Sequence, residues 1–117
     1  MDVRKKILSE YNKYSEEKKS NPLMYKPLSL NTFTTYAALF KDFWQNMIDL
    51  KYAFGGILMK FCFDNGKMAS VVNNQLSGYE WKIMSPSICT DDSFKTHLTD
   101  VEATGILLDI KQGADIY

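Results

Sequence analysis

Two apolar runs, Ile57–Phe63 and Met68–Val72, flank Asn65-Gly66, and no other feature constrains the fold of this chain as tightly. A two-residue hairpin turn of the primed type needs positive φ at both central positions, which asparagine and glycine tolerate best. The pattern predicts a β-hairpin over residues 57–72. With Asn65 and Gly66 at the turn, Phe63 faces Met68, Phe61 faces Ser70 and Met59 faces Val72 on one side of the ribbon. Lys60 then faces Val71, and Cys62 faces Ala69, on the other. The first side is the more apolar, so it is expected to lie on the core.

Helical periodicity brackets this hairpin. Val3, Ile7, Leu8, Tyr11 and Tyr14 recur at helical spacing over residues 2–19, with Asp2 placed to cap the first turn and Asn21-Pro22 placed to end the helix. Residues 20–30 form a connector with Pro22 and Pro27, and Leu23, Met24, Tyr25 and Leu28 make it too apolar for a free linker. A second helix is expected over Asn31–Leu50, where Phe33, Ala37, Phe40, Trp44, Met47 and Ile48 repeat at helical steps. Tyr36 and Phe43 widen that stripe, which predicts a helix packed across the sheet. Gly55-Gly56 then releases the chain into the hairpin.

Downstream, Tyr79–Met84 alternates as a third strand that Pro86 ends, and residues 93–98 alternate as a short fourth strand, with a helix from Asp92 as the competitor. Thr99 and Glu102 match a capping box, in which each side chain satisfies a backbone donor of the first helical turn. A final helix over about 100–111 follows, with Gly113 as its left-handed cap. Gly105 weakens that helix by about 1 kcal/mol relative to alanine, which leaves a strand over Ile106–Ile110 as the alternative. The expectation is a single α+β domain spanning residues 1–117. It has two N-terminal helices, an antiparallel meander of three to four strands and a C-terminal helix.

Charge narrows the function. Fourteen Lys and Arg balance fourteen Asp and Glu, which argues against both a basic nucleic-acid binder and an acidic mimic of DNA. The chain is long and apolar enough to build a core without metals or disulfides. Cys62 and Cys89 match neither a metal-ligand spacing nor a disulfide framework, so they read as free thiols of a reducing compartment, with one Cys62–Cys89 bridge as the alternative. The charges of Met1–Ile7 precede no apolar stretch, no run approaches membrane-spanning length, and Asn-x-Ser/Thr acceptors are missing. A cytoplasmic protein without a membrane partner is expected.

Cys89, Asp91, Asp92 and His97 are the densest gathering of reactive side chains, and a thiol, an imidazole and a carboxylate can make a nucleophile, a base and its orienter. Thr90, Asp91, Asp92 and Ser93 are also ordinary turn and cap residues, and a capped loop is the simpler expectation. His97 is the only histidine, and the cysteines are not spaced to complete a zinc site around it. None of the six glycines falls in a phosphate-binding pattern. No enzyme activity, cofactor or metal is expected. Phe61, Phe63, Tyr79 and Trp81 would stack on bases only if exposed and rimmed with positive charge. Lys60, Lys67 and Lys82 give a thin rim that Asp64 and Glu80 oppose, so packing in the core is expected and nucleic acid is not the expected partner.

What remains is apolar surface. Leu58, Cys62, Val71 and Met84 on the back of the sheet, with Leu23 and Tyr25 in the connector, exceed what one two-layer core needs. Six methionines add adaptable contact area. Leu58, Cys62, Val71, Met84, Leu23 and Tyr25 form the candidate interaction surface, unless the first helix packs on the back of the sheet as a third layer. The expected function is a small non-catalytic intracellular protein-binding module: an adaptor, an inhibitor, an immunity-type factor or a chaperone-like factor. Its partner would be another protein, with a homo-oligomer as one case. The alternative is a structural subunit of a larger assembly, such as a virion or a multi-protein machine. A small Cys/His hydrolase and a single-strand nucleic-acid binder rank behind both.

Overall fold

The computed structural model describes residues 2–20, 30–53, 56–73, 86–91, 93–96 and 98–113. Helix α1 runs over Val3–Ser20 and α2 over Leu30–Ala38, followed by a 3-10 helix over Lys41–Asn46. The strands are β1 (Met47–Ala53), β2 (Gly56–Cys62), β3 (Met68–Asn73), β4 (Ser87–Cys89) and β5 (Phe94–Lys95). Helix α3 spans Asp100–Lys111. The described strands form one antiparallel meander in the order β1-β2-β3-β4-β5. The fold is α+β, with helices at both ends of the chain and the sheet between them.

Local chemistry sets several of these boundaries. The Asp2 side chain accepts from Lys5 N at 3.2 Å and its carbonyl from Lys6 N at 3.0 Å, which starts α1. At α3 the capping box forms as expected: Glu102 N donates to Thr99 Oγ1 and Thr99 N to Glu102 Oε1, both at 3.1 Å. Gly113 closes the other end at φ 92°, with its N–H on the Ile110 carbonyl at 3.0 Å. Residues 106–110 are therefore helical, and the strand considered for them does not form.

The second helix departs from expectation by ending at Ala38 instead of continuing to Leu50. Around Ala37 the helical ladder tightens. The Ala37 carbonyl accepts from Phe40 N at 3.2 Å and from the Trp44 indole N–H at 3.0 Å, and Leu39 N is shared between the Thr35 and Tyr36 carbonyls. The chain passes through the 3-10 helix and becomes extended at Met47 (φ −73°, ψ 128°). Met47, Leu50 and Tyr52 alternate with Asp49 and Lys51 to form β1, which pairs along β2, with a bulge between Met47 and Asp49 that leaves Ile48 unpaired. An aromatic stripe at helical spacing hid a strand.

The hairpin forms, but one residue out of the expected register. Phe61 faces Ala69, Met59 faces Val71, Lys60 faces Ser70 and Cys62 faces Met68. The loop has three residues rather than two. Gly66 N donates to the Phe63 carbonyl and Phe63 N to the Lys67 carbonyl, each at 2.9 Å, and Gly66 sits at φ 83°. This geometry suits a type I turn closed by a left-handed glycine, the usual three-residue hairpin connection. Asn65 instead serves α3: its amide donates to the Ile110 carbonyl at 2.9 Å and the Lys111 carbonyl at 3.2 Å, and its Oδ1 accepts from Lys67 N at 2.9 Å. A slip of one residue exchanges the two faces of β3.

One cluster of buried side chains fills the space between helices and sheet. Leu50, Met59, Phe61 and Val71 come from the inner face of the sheet, Phe33 and Ala37 from α2, Phe40 from the turn that follows it, and Ala103 and Leu107 from α3, all fully buried. Phe43 stands edge-on to both Phe61 and Phe63, with ring centroids 6.3 and 6.2 Å away. Val3 and Ile7 bring α1 into the same cluster, so α1 does not make a third layer on the back of the sheet through them. β4 adds a strand that the sequence did not announce, since three residues carry no readable period. Strand 93–98 shrinks to Phe94–Lys95. The strand expected at Tyr79–Met84 and residues 21–29 of the expected 20–30 connector lie outside the described residues, while Ser20 and Leu30 belong to α1 and α2.

Candidate interaction surface

The register decides which side chains reach the outer face. Residues opposite each other in an antiparallel pair share a face. One cross-sheet row is Asp49, Lys60, Ser70, Cys89 and Phe94, and the next is Lys51, Leu58, Val72 and Ser87. Cys62 and Met68 follow toward the hairpin loop. Exposure is graded across these rows. Ser87 is buried, and Leu58, Val72 and Cys62 are half-buried. Met68 is 50% exposed and Phe94 65%, with Ile48 at the bulge 48%. Cys89, between the Ser70 and Phe94 positions, is exposed. The outer face is thus apolar toward the loop and β5, with Lys60 and Ser70 half-buried at its centre.

The structure does not place the sequence-predicted surface residues on one face. Leu58 and Cys62 lie on this face. Val71 does not, which is a correction: the shifted register turns it inward, and it is fully buried opposite Met59 and Ile88. Met84, Leu23 and Tyr25 lie outside the described residues. Ile48, Met68 and Phe94 were missed. The two-residue turn pairs Met68 with Phe63 toward the core, and helical spacing places Ile48 in the stripe of the second helix. The triplet Asp64-Asn65-Gly66 was the signal for Met68, whereas the alternation from Ile48 to Tyr52 announces β1 but groups Ile48 with the inward Leu50, and only the bulge sets it apart.

The chemical candidates are placed as follows. Cys62 and Cys89 are free thiols. They sit on β2 and β4 with β3 between, and at about 4.8 Å per strand their backbones stand roughly 10 Å apart, too far for a bridge. The Cys89 thiol donates to the Thr90 carbonyl at 3.6 Å, and Thr90 N closes a turn onto the Ser93 carbonyl at 2.8 Å. Asp91 is exposed in that turn, while Asp92 and His97 lie outside the described residues. Among the described residues no three His, Cys, Asp or Glu side chains gather as metal ligands. Phe61 and Phe63 stack on each other at 6.3 Å inside the core, so neither presents a face to a base. Tyr79 and Trp81 lie outside the described residues. An open depression along α1 is lined by Lys5, Leu8, Ser9, Asn12 and Lys13, and this lining sets no histidine or carboxylate beside the Ser9 hydroxyl. Among the described residues no helix is long and apolar enough to cross a membrane.

Comparison with protein-family models, with curated proteins and with solved structures found no match for this chain.

Proposed function

We propose that the chain is a non-catalytic protein-binding module and that the outer face of its sheet is the docking surface. One observation carries this reading: Met68 and Phe94 expose half or more of their surface on the sheet, beside exposed Cys89 and half-buried Cys62. Large apolar side chains gathered on one face, unlike single ones scattered over a surface, mark interaction sites. Methionine and phenylalanine are also residue types enriched where proteins meet. The partner implied is a protein with a complementary apolar patch, and binding would bury area rather than transform a substrate.

Site-directed photo-cross-linking tests this. A photoreactive residue replaces Met68 or Phe94 in one set of proteins and Asn12, exposed on α1, in the control. The expected result in extract of the native host is one discrete adduct from the sheet positions and none from position 12. Excess parent chain should compete the adduct away, and the Met68→Ser/Phe94→Ser chain should not. Equal labelling from position 12, or competition by the double variant, would count against the proposal. An adduct with a second copy of the chain would identify the partner as itself.

A further inference from the structure

The hairpin loop holds Asn65-Gly66 against the carbonyl end of α3, and these two residues can react with each other. The Gly66 nitrogen is the nucleophile and Asn65 Cγ its target, and glycine has no side chain to shield the approach. Attack forms the N–Cγ bond and passes the Gly66 amide proton to water. The Cγ–Nδ2 bond breaks, and the nitrogen takes a proton from water and leaves as ammonia. Water then opens the cyclic imide at either carbonyl. The products are aspartate at position 65 and its isoaspartyl isomer, in which the main chain runs through the side-chain carbon. Asn65 and Gly66 are exposed, so water reaches them. In the folded chain, however, the reacting atoms are engaged. The Gly66 N–H is held by the Phe63 carbonyl at 2.9 Å. Asn65 Nδ2 donates to the Ile110 and Lys111 carbonyls at 2.9 and 3.2 Å, and Oδ1 accepts from Lys67 N at 2.9 Å. The departing nitrogen must gain a proton, yet the groups that hold it are carbonyl oxygens, which have none to give. Lys67 Nζ adds a second tie to α3, donating to the Gly113 carbonyl at 3.1 Å.

We infer that Asn65-Gly66 is a self-modification site and that α3 sets its rate: docked, the helix guards the amide, and released, it lets the conversion run. Local opening of one element, without global unfolding, is the event that frees the site. The conversion is one-way. Both products lack the Nδ2 donors, and both put a carboxylate beside helix carbonyls that carry negative partial charge. The isoaspartyl form also adds a main-chain carbon to a three-residue loop whose closure depends on Gly66 at φ 83°. The site thus records a release of α3 as a permanent negative charge that weakens its return. This inference does not depend on the docking role of the outer face.

Peptide mass spectrometry on the full chain tests it. Trypsin cuts after Lys60 and Lys67 and releases residues 61–67, in which Asn65 is the only side-chain amide. The full chain is aged at mildly alkaline pH, and the gain in mass of this peptide reads the conversion. The same peptide aged free in solution gives the unguarded rate. The folded chain should convert at least about tenfold more slowly than the free peptide, because the site reacts only from the opened state. Thr99→Ala removes the N-cap of α3 and should speed conversion about fivefold. Ile7→Val, a core loss of similar size on α1, should leave the rate unchanged. Converted chain, separated by ion exchange, should show faster hydrogen exchange in α3 than the parent. Conversion of the folded parent at the free-peptide rate would overturn the inference. So would a Thr99→Ala rate equal to the parent's, or an equal acceleration by Ile7→Val, which would assign the opening to global unfolding. A converted chain with α3 as protected as in the parent would overturn the one-way step. The comparison of parent with free peptide needs no variant and stands if Thr99→Ala does not fold.

Discussion

On the inner face of the sheet, Leu50, Met59, Phe61 and Val71 are fully buried. On the outer face, one step along the chain from these residues, Leu58, Cys62 and Val72 keep part of their surface in solvent. Met68 keeps half of its surface there. The inner face is apolar, whereas the outer face sets Asp49, Lys51, Lys60, Ser70 and Ser87 among its apolar side chains, and coverage by the described helices separates the two further. Three helices and a 3-10 helix send their buried side chains to the inner face. Stability is therefore expected to sit on one face and recognition on the other, and substitutions matched across the sheet can break that division or sharpen it.

The largest effect should come from Phe61→Ala. The ring lies at the centre of the inner face, between Phe43 and Phe63, and truncating a buried phenylalanine typically costs about 3–5 kcal/mol through lost transfer energy and a residual cavity. Urea unfolding monitored by circular dichroism reads it as a fall in midpoint at constant slope. A cost below about 1 kcal/mol would mean that the inner face is not the core.

The sharpest contrast is between neighbours. Val71→Ala should cost about 2 kcal/mol or more, because the side chain is fully buried. Val72→Ala, half-buried on the other face, should cost under about 1 kcal/mol. The hairpin register first read from Asn65-Gly66 predicts the reverse order, so the same unfolding experiment on two variants decides the register.

That register shows what was legible in the sequence. The hairpin, the α+β class, the Thr99–Glu102 capping box and the Gly113 stop were all readable, because each rests on contacts within a few residues. The register was not, because the role of Asn65 is long-range: its amide bonds to carbonyls of α3, some forty-five positions later in the chain. Nothing within the turn announces that partner. The strand β1 was hidden for a similar reason. Phe40, Phe43, Trp44 and Met47 satisfy helical spacing locally, and only the pairing with β2 makes Met47 the first residue of a strand. Of the candidate surface, Leu58 and Cys62 followed from their alternation in β2, whereas Met68 and Val71 inherited the register error.

Two cap substitutions should have intermediate effects. Asn65→Asp keeps the turn chemistry and the acceptor for Lys67 N, but it loses both donors and brings negative charge to the carbonyl end of α3. A loss of about 1–2 kcal/mol is expected, since a helix C-terminus disfavours an anion. Thr99→Ala at the other end should cost about 1 kcal/mol, the usual worth of an N-cap. If Asn65→Asp proves neutral in thermal unfolding, the tie between hairpin and helix contributes nothing and the shifted register needs another cause.

The smallest expected effect on stability carries the most weight for function. Met68→Ser and Phe94→Ser remove side chains that are half exposed or more, and surface changes of this kind usually stay within about 0.5 kcal/mol. A neutral melt is therefore expected for each. The removal of exposed apolar area should also reduce any concentration-dependent association. Binding should respond differently, because an anchor desolvated by a partner can cost 2 kcal/mol or more when truncated. A pair of substitutions that leaves unfolding untouched and abolishes the cross-linked adduct would separate recognition from stability on adjoining faces of one sheet. If either substitution instead costs as much as Val71→Ala, that side chain is part of the core in solution, and the outer face loses its claim as a docking surface.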